Sequence, residues 1–159
     1  MNIRIGFGYD VHPLGDNREL WLGGIKLHFD KGCVGHSDAD VLLHAICDAL
    51  LGAANLRDIG FHFSNKDERW RNADSRIFLT QVTAMLREKG WTVGNLDCTI
   101  TLEDPKVNPH VAEMKKVMAE IIGITAEDIS VKATTNEGMG YVGRGEGINA
   151  MAVVMICKE

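Results

Sequence analysis

The sequence of 159 residues lacks several features that mark specialised classes of protein. It contains no apolar run near the roughly 18 residues that a membrane span requires, so we expect a soluble protein with no membrane partner. It contains no basic cluster, and its net charge of −5 argues against a nucleic-acid partner. No internal repeat or low-complexity tract occurs. The glycine-rich nucleotide fingerprints, G-x-x-x-x-G-K-[ST] and a G-x-G-x-x-G after a strand, are also missing.

The cysteines and the amino end exclude further classes. Cys33, Cys47, Cys98 and Cys157 are scattered, with no C-x-x-C pair. Each lies among apolar neighbours, which favours reduced, buried thiols over a zinc ribbon. The chain enters a strand pattern at once, without the charged-then-apolar layout of a signal peptide. We expect a cytoplasmic location, or an organelle stroma if a transit segment has been removed.

The length and hydrophobic patterning predict one α+β domain over residues 1–159, with a mixed sheet that helices cover on one face. Strands are predicted at 3–12, 91–102, 129–135 and 148–157, with a glycine-turned hairpin at 19–29. Helices are predicted from Ser37 to about Ala54, at 74–89 and at 109–122, with a polar loop at 58–67. The last strand is nearly continuously apolar, which predicts burial on both of its faces.

The first predicted helix carries polar groups along one face. Ser37 followed by Asp40 matches a variant of the capping box and places the helix start at Ser37. Asp40, His44 and Asp48 follow one another at intervals of four residues and therefore share a face. Two roles stay open for Asp48, because a carboxylate one turn beyond His44 either orients the imidazole or lies on the surface.

Asp10 and His12 lie at alternate positions of the first strand, so their side chains project to the same side while Val11 points away. Alone, such a pair is more often a turn-capping aspartate beside a surface histidine. With His44 as a third ligand, the set becomes two histidines and a carboxylate, the donor count of a catalytic zinc site with one open position. An open position indicates chemistry rather than a scaffold.

A glycine-rich stretch over residues 134–147 joins the last two strands. Glycines free backbone amides to turn toward a ligand, and the threonines and Arg144 suit phosphate oxygens. A flexible turn without a ligand would use glycine as well. The stretch by itself therefore leaves both interpretations open.

Several separated segments occur in a fixed order along the chain. They are GYDVH at 8–12, GHSDADV at 35–41 leading to His44-Ala45, DIG at 58–60, PK at 105–106, KATTNE at 132–137 and GRGEG at 143–147. Together they closely resemble the 2-C-methyl-D-erythritol 2,4-cyclodiphosphate synthase family, in the family's order and over nearly the whole chain. The resemblance implies a homotrimer whose active sites lie between adjacent subunits.

The resemblance also implies a reaction, that of a phosphorus–oxygen lyase in the non-mevalonate route to isoprenoid precursors. The implied substrate is the nucleotide-linked 4-diphosphocytidyl-2-C-methyl-D-erythritol 2-phosphate. Its 2-phosphate attacks the β-phosphorus of its own diphosphate, CMP leaves, and the cyclic diphosphate forms. Such a transfer needs alignment and charge neutralisation more than a base, because the nucleophile is already an anion.

Two metal ions are implied by the same resemblance. Asp10, His12 and His44 would hold Zn²⁺, while Mg²⁺ or Mn²⁺ would bridge the substrate diphosphate and contact Glu137. Zinc suits a site with nitrogen donors, and a hard, hydrated Mg²⁺ suits a carboxylate with phosphates. His36 and Thr135 match the positions that stabilise the transition state in the family.

The implied substrate contacts come from several parts of the chain. His36 and Ser37 precede the predicted helix start, where amides and the helix dipole favour an anion, so we expect them to hold the attacking phosphate. The segment at 58–60 matches the methylerythritol contact, and 102–108 matches a main-chain contact to cytosine. The full set is Asp10, His12, His36, Ser37, Asp58, Ile59, Gly60, Phe63, Asn65, Asp67, Leu102, Pro105, Lys106, Asn108, Thr134, Thr135, Asn136, Glu137, Tyr141 and Arg144.

The sequence departs from the family pattern at two places. Where relatives often have Phe-Pro-Asp-Thr-Asp, this chain has Phe-Ser-Asn-Lys-Asp at 63–67, so the resemblance implies a substrate contact less firmly at Asn65 than at Asp58. Tyr141 replaces a phenylalanine that is common in relatives. Arg144 and Glu146 have an alternative place at the trimer axis, where the family has an apolar cavity, and three arginines there would suit an isoprenoid diphosphate.

Two other functions remain alternatives. A zinc phosphodiesterase would use metal-bound hydroxide on a nucleotide, with Asp58 positioning the water. A trimer that only binds metal or carries a ligand would have no turnover. The reaction products distinguish these two functions from ring closure.

Overall fold

The computed structural model describes residues 2–158, which form seven strands and five helices. The strands are β1 (Asn2–Asp16), β2 (Leu20–Leu22), β3 (Ile25–Leu27), β4 (Lys31–Cys33), β5 (Thr92–Thr101), β6 (Ile129–Thr134) and β7 (Gly147–Lys158). The helices are α1 (Val41–Ala53), α2 (Ile59–His62), α3 (Ser75–Glu88), α4 (Val111–Ile122) and α5 (Gly140–Gly143). Short 3₁₀ turns lie at Glu68–Trp70, Asn108–His110 and Ala126–Asp128.

Five of the strands form a mixed sheet in the order β4-β1-β7-β5-β6. The pairs are antiparallel except for β5 and β6, which run parallel. The long β1 pairs with β7 from Asn2 opposite Lys158 to Pro13 opposite Gly147. Strands β2 and β3 form a separate hairpin that turns at Gly23 and Gly24, both with positive φ. The predicted α+β class, mixed sheet and hairpin are confirmed.

Helix α1 lies directly on β1 because two glycines allow the contact. A Cβ on Gly6 would stand 1.9 Å from the carbonyl oxygen of Ala49, and one on Gly8 would stand 1.9 Å from that of Ala45. Any side chain larger than hydrogen would push the helix away. The even-numbered residues of β1 therefore face α1, and Asp10, the next residue on that face after Gly8, lies beside His44, the residue that precedes Ala45.

The opposite face of the sheet is uncovered in the single chain. The expectation that β7 is buried on both faces is wrong, because Val154 and Ile156 are buried whereas Val153 is 43% exposed. The odd-numbered side chains of β1 lie on the same uncovered face, and Ile5 and Phe7 are 64% and 62% exposed. The helices pack against one face only, so alternate apolar residues of β7 lie in the core under the helices and on the uncovered face.

Helix α1 starts later than predicted. Asp40, not Ser37, is its N-cap, and the Asp40 side chain accepts a hydrogen bond from the amide of Leu43. Ala39 has a positive φ of 57°, so residues 37–39 form a turn in which the Ser37 hydroxyl accepts from the Ala39 amide. The capping-box interpretation was wrong because the local serine turn competes with helix formation.

The remaining helix boundaries include both agreements and one error. Helix α3 begins at Ser75, one residue after the predicted start, with Asp74 as its N-cap, and α4 ends before Gly123, its C-cap, which has a φ of 81°. The predicted polar loop at 58–67 instead contains α2, because Asp58 caps a short helical turn. The uneven alternation in β5 has a physical cause, since the register shifts between Val93 and Asn95 around Gly94.

The four cysteines are free thiols. Cys33, Cys47 and Cys98 are buried and Cys157 is half-buried. Burial raises the pKa of Cys33 and of Cys98 to about 12, so both stay protonated at neutral pH. Within residues 2–158, none of the helices combines the length and the apolar character needed to cross a bilayer.

Candidate active site

The predicted metal ligands converge at the point where β1 passes the first turn of α1. Asp10 Oδ2 lies 3.0 Å from His12 Nε2 and 3.0 Å from His44 Nδ1, and the two nitrogens are 3.2 Å apart. Asp10 and His12 share the α1 side of the sheet, as strand alternation predicts. One carboxylate and two imidazoles so close together form a three-donor cluster that fits a divalent cation.

The charges of the cluster are strongly coupled. Burial favours neutral Asp10, but hydrogen bonds from His12 and His44 prevail and lower its pKa to about 2. Burial opposes a charged His12, yet the Asp10 carboxylate outweighs this effect and raises the His12 pKa. The Asp10 carboxylate thus stays ionised over the working range of pH and attracts a cation.

Each imidazole is held by its second nitrogen. His12 Nδ1 lies 3.2 Å from the carbonyl oxygen of Val34 and donates its proton to it, so the proton on Nε2, which faces Asp10 in the metal-free protein, is the one that a metal ion would displace to use the Nε2 lone pair. His44 Nε2 lies 2.9 Å from the Ser75 hydroxyl and 3.2 Å from that of Ser37. Ser75 was not predicted from the sequence, where its place just after an aspartate at a helix start indicates only a cap.

A cavity of about 340 Å³ adjoins the metal cluster. Phe63, Trp70 and Phe78 form its apolar wall, with ring centres 4.8 to 5.6 Å apart. The other lining residues are His12, Gly35, His36, Ser37, His44, Ile59, Gly60 and Asn65. The sequence interpretation missed Trp70 and Phe78; a lone tryptophan in a polar segment was the available signal for Trp70.

The segments around this cavity are tied together by hydrogen bonds. His36 Nε2 lies 3.0 Å from the carbonyl oxygen of Asp67. The Asp67 carboxylate itself pairs with Arg69, whose Nη2 is 2.6 Å away, and this pairing lowers the Asp67 pKa. The main chain of Asp67 thus holds the His36 ring beside this cavity, while the Asp67 side chain pairs with Arg69 and does not line the cavity.

Asp48 has neither of the two roles considered from the sequence. Its Oδ1 accepts a hydrogen bond of 2.7 Å from the Ile59 amide, and the side chain is half-buried. Asp58 caps the same helix α2 by accepting from the Phe61 amide at 2.9 Å. The two carboxylates fix α2 against α1, and this places Ile59 and Gly60 at the cavity rim.

A second cavity, of about 110 Å³, lies near the other edge of the sheet, where β5 and β6 end. It is lined by Leu102, Pro105, Lys106, Val107, Asn108, Ala133, Thr134 and Thr135. The Thr135 hydroxyl donates to Glu137 Oε1 at 3.2 Å, and the Asn136 amide donates to Glu103 Oε1 at 2.8 Å. Glu103 was not predicted, and it anchors the start of the glycine-rich stretch.

The two cavities are far apart within one chain. The register aligns Asp10 with Ala150, Ile100 and Ala133 across four adjacent strands. At about 4.8 Å per strand, β6 lies roughly 14 Å from β1. Thr135 and Glu137, which follow β6, are therefore not brought to the Asp10–His12–His44 cluster of the same chain.

The family of the chain follows from comparison with known proteins. A family model described as the YgbB family matches residues 3–157. The chain belongs to the YgbB family. Among relatives, it is 59% identical over 158 residues to the 2-C-methyl-D-erythritol 2,4-cyclodiphosphate synthase of Cytophaga hutchinsonii, with 99% of each protein covered. The synthase of Bacteroides thetaiotaomicron is 56% identical over 159 residues, with 100% of each covered.

Solved structures agree with membership of the YgbB family. The bifunctional IspDF from Campylobacter jejuni matches with a TM-score of 0.94 at 38% identity over 98% of this chain, which spans 42% of that longer chain. The CDP complex of Plasmodium falciparum IspF matches with a TM-score of 0.88 at 30% identity, covering 99% of this chain and 97% of the other. The resemblance inferred from the separated sequence motifs is confirmed.

In this YgbB-family chain, Tyr141 and Arg144 lie in and after α5 rather than at either cavity. The Tyr141 hydroxyl accepts from Asn149 Nδ2 at 2.9 Å and lies 3.4 Å from the Tyr9 hydroxyl. Arg144 forms an exposed ion pair with Glu146, with Nε 2.9 Å from Oε1. The Arg144–Glu146 pair thus lies on the surface of the single chain, outside both cavities.

Proposed function

We propose that this chain, as a single domain over residues 1–159, converts 4-diphosphocytidyl-2-C-methyl-D-erythritol 2-phosphate into 2-C-methyl-D-erythritol 2,4-cyclodiphosphate and CMP. The main support for this proposal is that Asp10, His12 and His44 converge beside a cavity. The chain is also closely related to proteins named 2-C-methyl-D-erythritol 2,4-cyclodiphosphate synthase. The phosphate ends of such a substrate need cationic and hydrogen-bonding partners, and this cluster with its neighbouring hydroxyls and amides supplies them.

The donor set favours zinc at this cluster. Two imidazole nitrogens and one carboxylate match zinc chemistry, and when neutral both imidazoles would direct a lone pair at the same point. A zinc ion bound there with an open position would polarise a phosphate oxygen as a Lewis acid. Glu137, an exposed carboxylate beside Thr135, suits Mg²⁺ or Mn²⁺ shared with the substrate diphosphate.

Other residues of the chain would bind the substrate and exclude water from it. Ser37 and the amides at the α2 end of the cavity offer donors to phosphate and hydroxyl groups, and His36 is fixed beside them by its bond to Asp67. The aromatic wall of Phe63, Trp70 and Phe78 excludes water around the methylerythritol portion. No base is required, because the attacking phosphate is already an anion.

We also propose that the active site is completed by a second copy of the chain in a homotrimer. Thr135 and Glu137 follow β6, which lies about 14 Å from β1 by strand spacing, so they are too far from the metal cluster of their own chain to share one diphosphate with it. The uncovered sheet face offers an interface, since Phe7 and its apolar neighbours are largely exposed. The cavity at Pro105–Lys106 would then hold the cytosine of a substrate whose phosphates reach the partner's metal cluster.

Arg144 supports a smaller proposal. Three copies of the exposed Arg144–Glu146 pair around the trimer axis would present a ring of guanidinium groups suited to an isoprenoid diphosphate. Titration of the trimer with farnesyl diphosphate should give saturable binding that Arg144→Ala abolishes. Equal affinity of the two proteins would exclude this site.

The reaction is tested by CMP release from the candidate substrate, using metal-stripped protein restored with zinc, magnesium or both. We expect full activity only with both ions, and phosphorus NMR showing a cyclic diphosphate. Linear phosphate products would identify a phosphodiesterase instead. His44→Ala should lose zinc and turnover together, whereas a protein that only binds metal would show no CMP release before or after the change.

A further inference from the structure

Ser75 and Asp38 hold the imidazole of His44 on the side away from the metal cluster, and we call this pair the relay. Its Nδ1 faces Asp10, and its Nε2 faces the Ser75 hydroxyl at 2.9 Å. The Ser75 hydroxyl in turn makes a very short hydrogen bond to Asp38 Oδ1, and the Ser75 amide donates to Asp38 Oδ2 at 2.9 Å. Ser75 is fully buried, whereas Asp38 is half-buried.

The direction of each proton follows from the chemistry of these groups. A carboxylate only accepts, so the Ser75 hydroxyl donates its single proton to Asp38. Toward His44, the Ser75 oxygen is therefore an acceptor, and the hydrogen bond requires a proton on His44 Nε2. A neutral imidazole protonated at Nε2 has its lone pair on Nδ1, the nitrogen that faces the metal cluster.

The Asp38 carboxylate is itself rigidly held. Besides its two bonds from Ser75, it accepts from the Asp40 amide at 3.1 Å, and the Asp38 amide donates to the carbonyl oxygen of Ala73 at 3.0 Å. These bonds connect the turn before α1 with the start of α3. The relay thus draws on two segments that are more than thirty residues apart in sequence.

We propose that Asp38 and Ser75 are positioning residues that set the tautomer and orientation of His44 for metal binding. The proposal rests on the proposed metal site of the synthase and concerns how the chain prepares it. It also implies that Ser37 binds phosphate and does not orient His44. Because Ser75 satisfies His44 Nε2, the Ser37 hydroxyl, which accepts from the Ala39 amide, keeps its proton for an incoming phosphate.

Zinc affinity of the assembled protein, measured by competition with a chromogenic chelator, tests this relay. Ser75→Ala removes the acceptor for His44 Nε2 and should weaken zinc binding by about 10- to 100-fold, the usual effect of losing such a partner. Asp38→Asn keeps the shape of the side chain but replaces one of its two acceptor oxygens by an amide donor, so that the Ser75 hydroxyl, the Ser75 amide and the Asp40 amide can no longer all be accepted and Ser75 is held less firmly. It should also weaken zinc binding by about 10-fold or more.

Ser37→Ala is the matched control because Ser37 touches the same nitrogen of His44. It should leave zinc affinity within about twofold of the wild type, since the Ser75 acceptor remains. In ¹⁵N-labelled, zinc-loaded protein, the Nε2 proton of His44 should exchange slowly with water. Ser75→Ala should make that proton exchange faster. If the unfolding midpoint of Ser75→Ala equals that of the wild type, a general loss of stability at the helix start does not explain the faster exchange.

The possible outcomes separate the relay from the metal site. Equal zinc affinity in wild type, Ser75→Ala and Asp38→Asn would overturn the relay while leaving the metal site intact. Absence of stoichiometric zinc binding in the wild type would overturn the metal site itself. If Ser75→Ala lowers the unfolding midpoint, Asp38→Asn and the exchange rate of the His44 proton decide the question.

Discussion

His12 and His44 present different ring nitrogens to the same point. His12 reaches it with Nε2 from the end of a strand, and His44 with Nδ1 from the first turn of a helix. In each ring the other nitrogen is bonded to an oxygen of the protein. The donors are thus oriented by the fold itself, which lowers the entropic cost of binding a cation.

The coupled charges of Asp10 and His12 predict a pH dependence for the metal-free protein. The Asp10 pKa falls from 3.8 to about 2 on folding, so its contribution to stability is present above pH 3.8 and lost toward pH 2. The His12 pKa is raised above 6.5, so its contribution is present below pH 6.5 and lost as the pH rises past the raised value.

Both contributions coexist between pH 3.8 and 6.5. In urea unfolding without metal, Asp10→Asn should therefore destabilise the protein more at about pH 5 than at about pH 9. The wild type at each pH is the reference for that difference. An equal loss of unfolding free energy at both pH values would show that the Asp10–His12 pair is not charged in the folded protein.

Gly8 is required by the close approach of α1 to β1. Gly8→Ala would place Cβ 1.9 Å from the carbonyl oxygen of Ala45, a backbone atom that cannot move aside cheaply. We expect the free energy of unfolding to fall by at least about 1–3 kcal/mol, the usual cost of overpacking. Because Ala45 follows His44, zinc affinity should fall as well.

Gly52→Ala is the control for Gly8→Ala in urea unfolding. Gly52 lies within α1, and a Cβ there meets no atom within 4 Å. The substitution should stabilise the protein by up to about 1 kcal/mol, since alanine favours a helix over glycine. Similar effects of the two substitutions would contradict the packing argument.

At the scale of elements, Asp40 joins the β2–β3 hairpin to α1. Its carboxylate is fully buried and accepts from the amides of Gly23 at 3.0 Å, Gly24 at 2.7 Å and Leu43 at 3.0 Å. Burial raises the Asp40 pKa to about 6, against the effect of these bonds. The hairpin glycines turn their amides inward, so one carboxylate caps the helix and closes the turn.

Asp40→Asn tests this junction. The amide group keeps one acceptor oxygen but points a donor at another buried amide, so one hydrogen bond is lost and one amide is left unsatisfied. We expect a loss of about 1–3 kcal/mol in the free energy of unfolding, measured by urea titration near neutral pH. Asp30→Asn, at an exposed position, should change it by less than about 0.5 kcal/mol.

At the scale of the whole molecule, the uncovered sheet face predicts assembly. Phe7→Glu places a charge in the middle of this face and should convert a trimer of three 17.5 kDa chains into monomers in sedimentation experiments. Ile77→Glu is the control, because Ile77 is another exposed apolar residue, with 44% of its surface exposed, but lies on α3 and not on the uncovered sheet face. Retention of the trimer in Phe7→Glu would place the interface elsewhere.

A site shared between subunits predicts complementation. His44→Ala and Glu137→Gln should each be inactive as pure trimers, because every site lacks one essential group. When the two variants are unfolded together and reassembled, random mixing should restore about a quarter of the wild-type CMP release, since about a quarter of the interfaces then combine two intact halves. A site contained within one chain predicts no recovery at all.

Much of this protein was readable from the sequence because the signals are local. Alternation placed Asp10 and His12 on one side of β1, Gly123 marked the end of α4, and the glycine pair marked the hairpin. The ordered motifs identified the family before any coordinates. Periodicity within one segment is fixed by backbone geometry, so neighbouring residues suffice to reveal it.

The tertiary structure decided what depends on contacts between distant segments. Asp40 caps α1 and also accepts from the hairpin amides, and Asp48 bonds Ile59 rather than an imidazole. The role of Ser75 emerged only when α3 met the turn before α1. The sequence by itself determined the family and the three candidate ligands, whereas only packing could decide which groups orient those candidate ligands, because such bonds join residues that no local pattern relates.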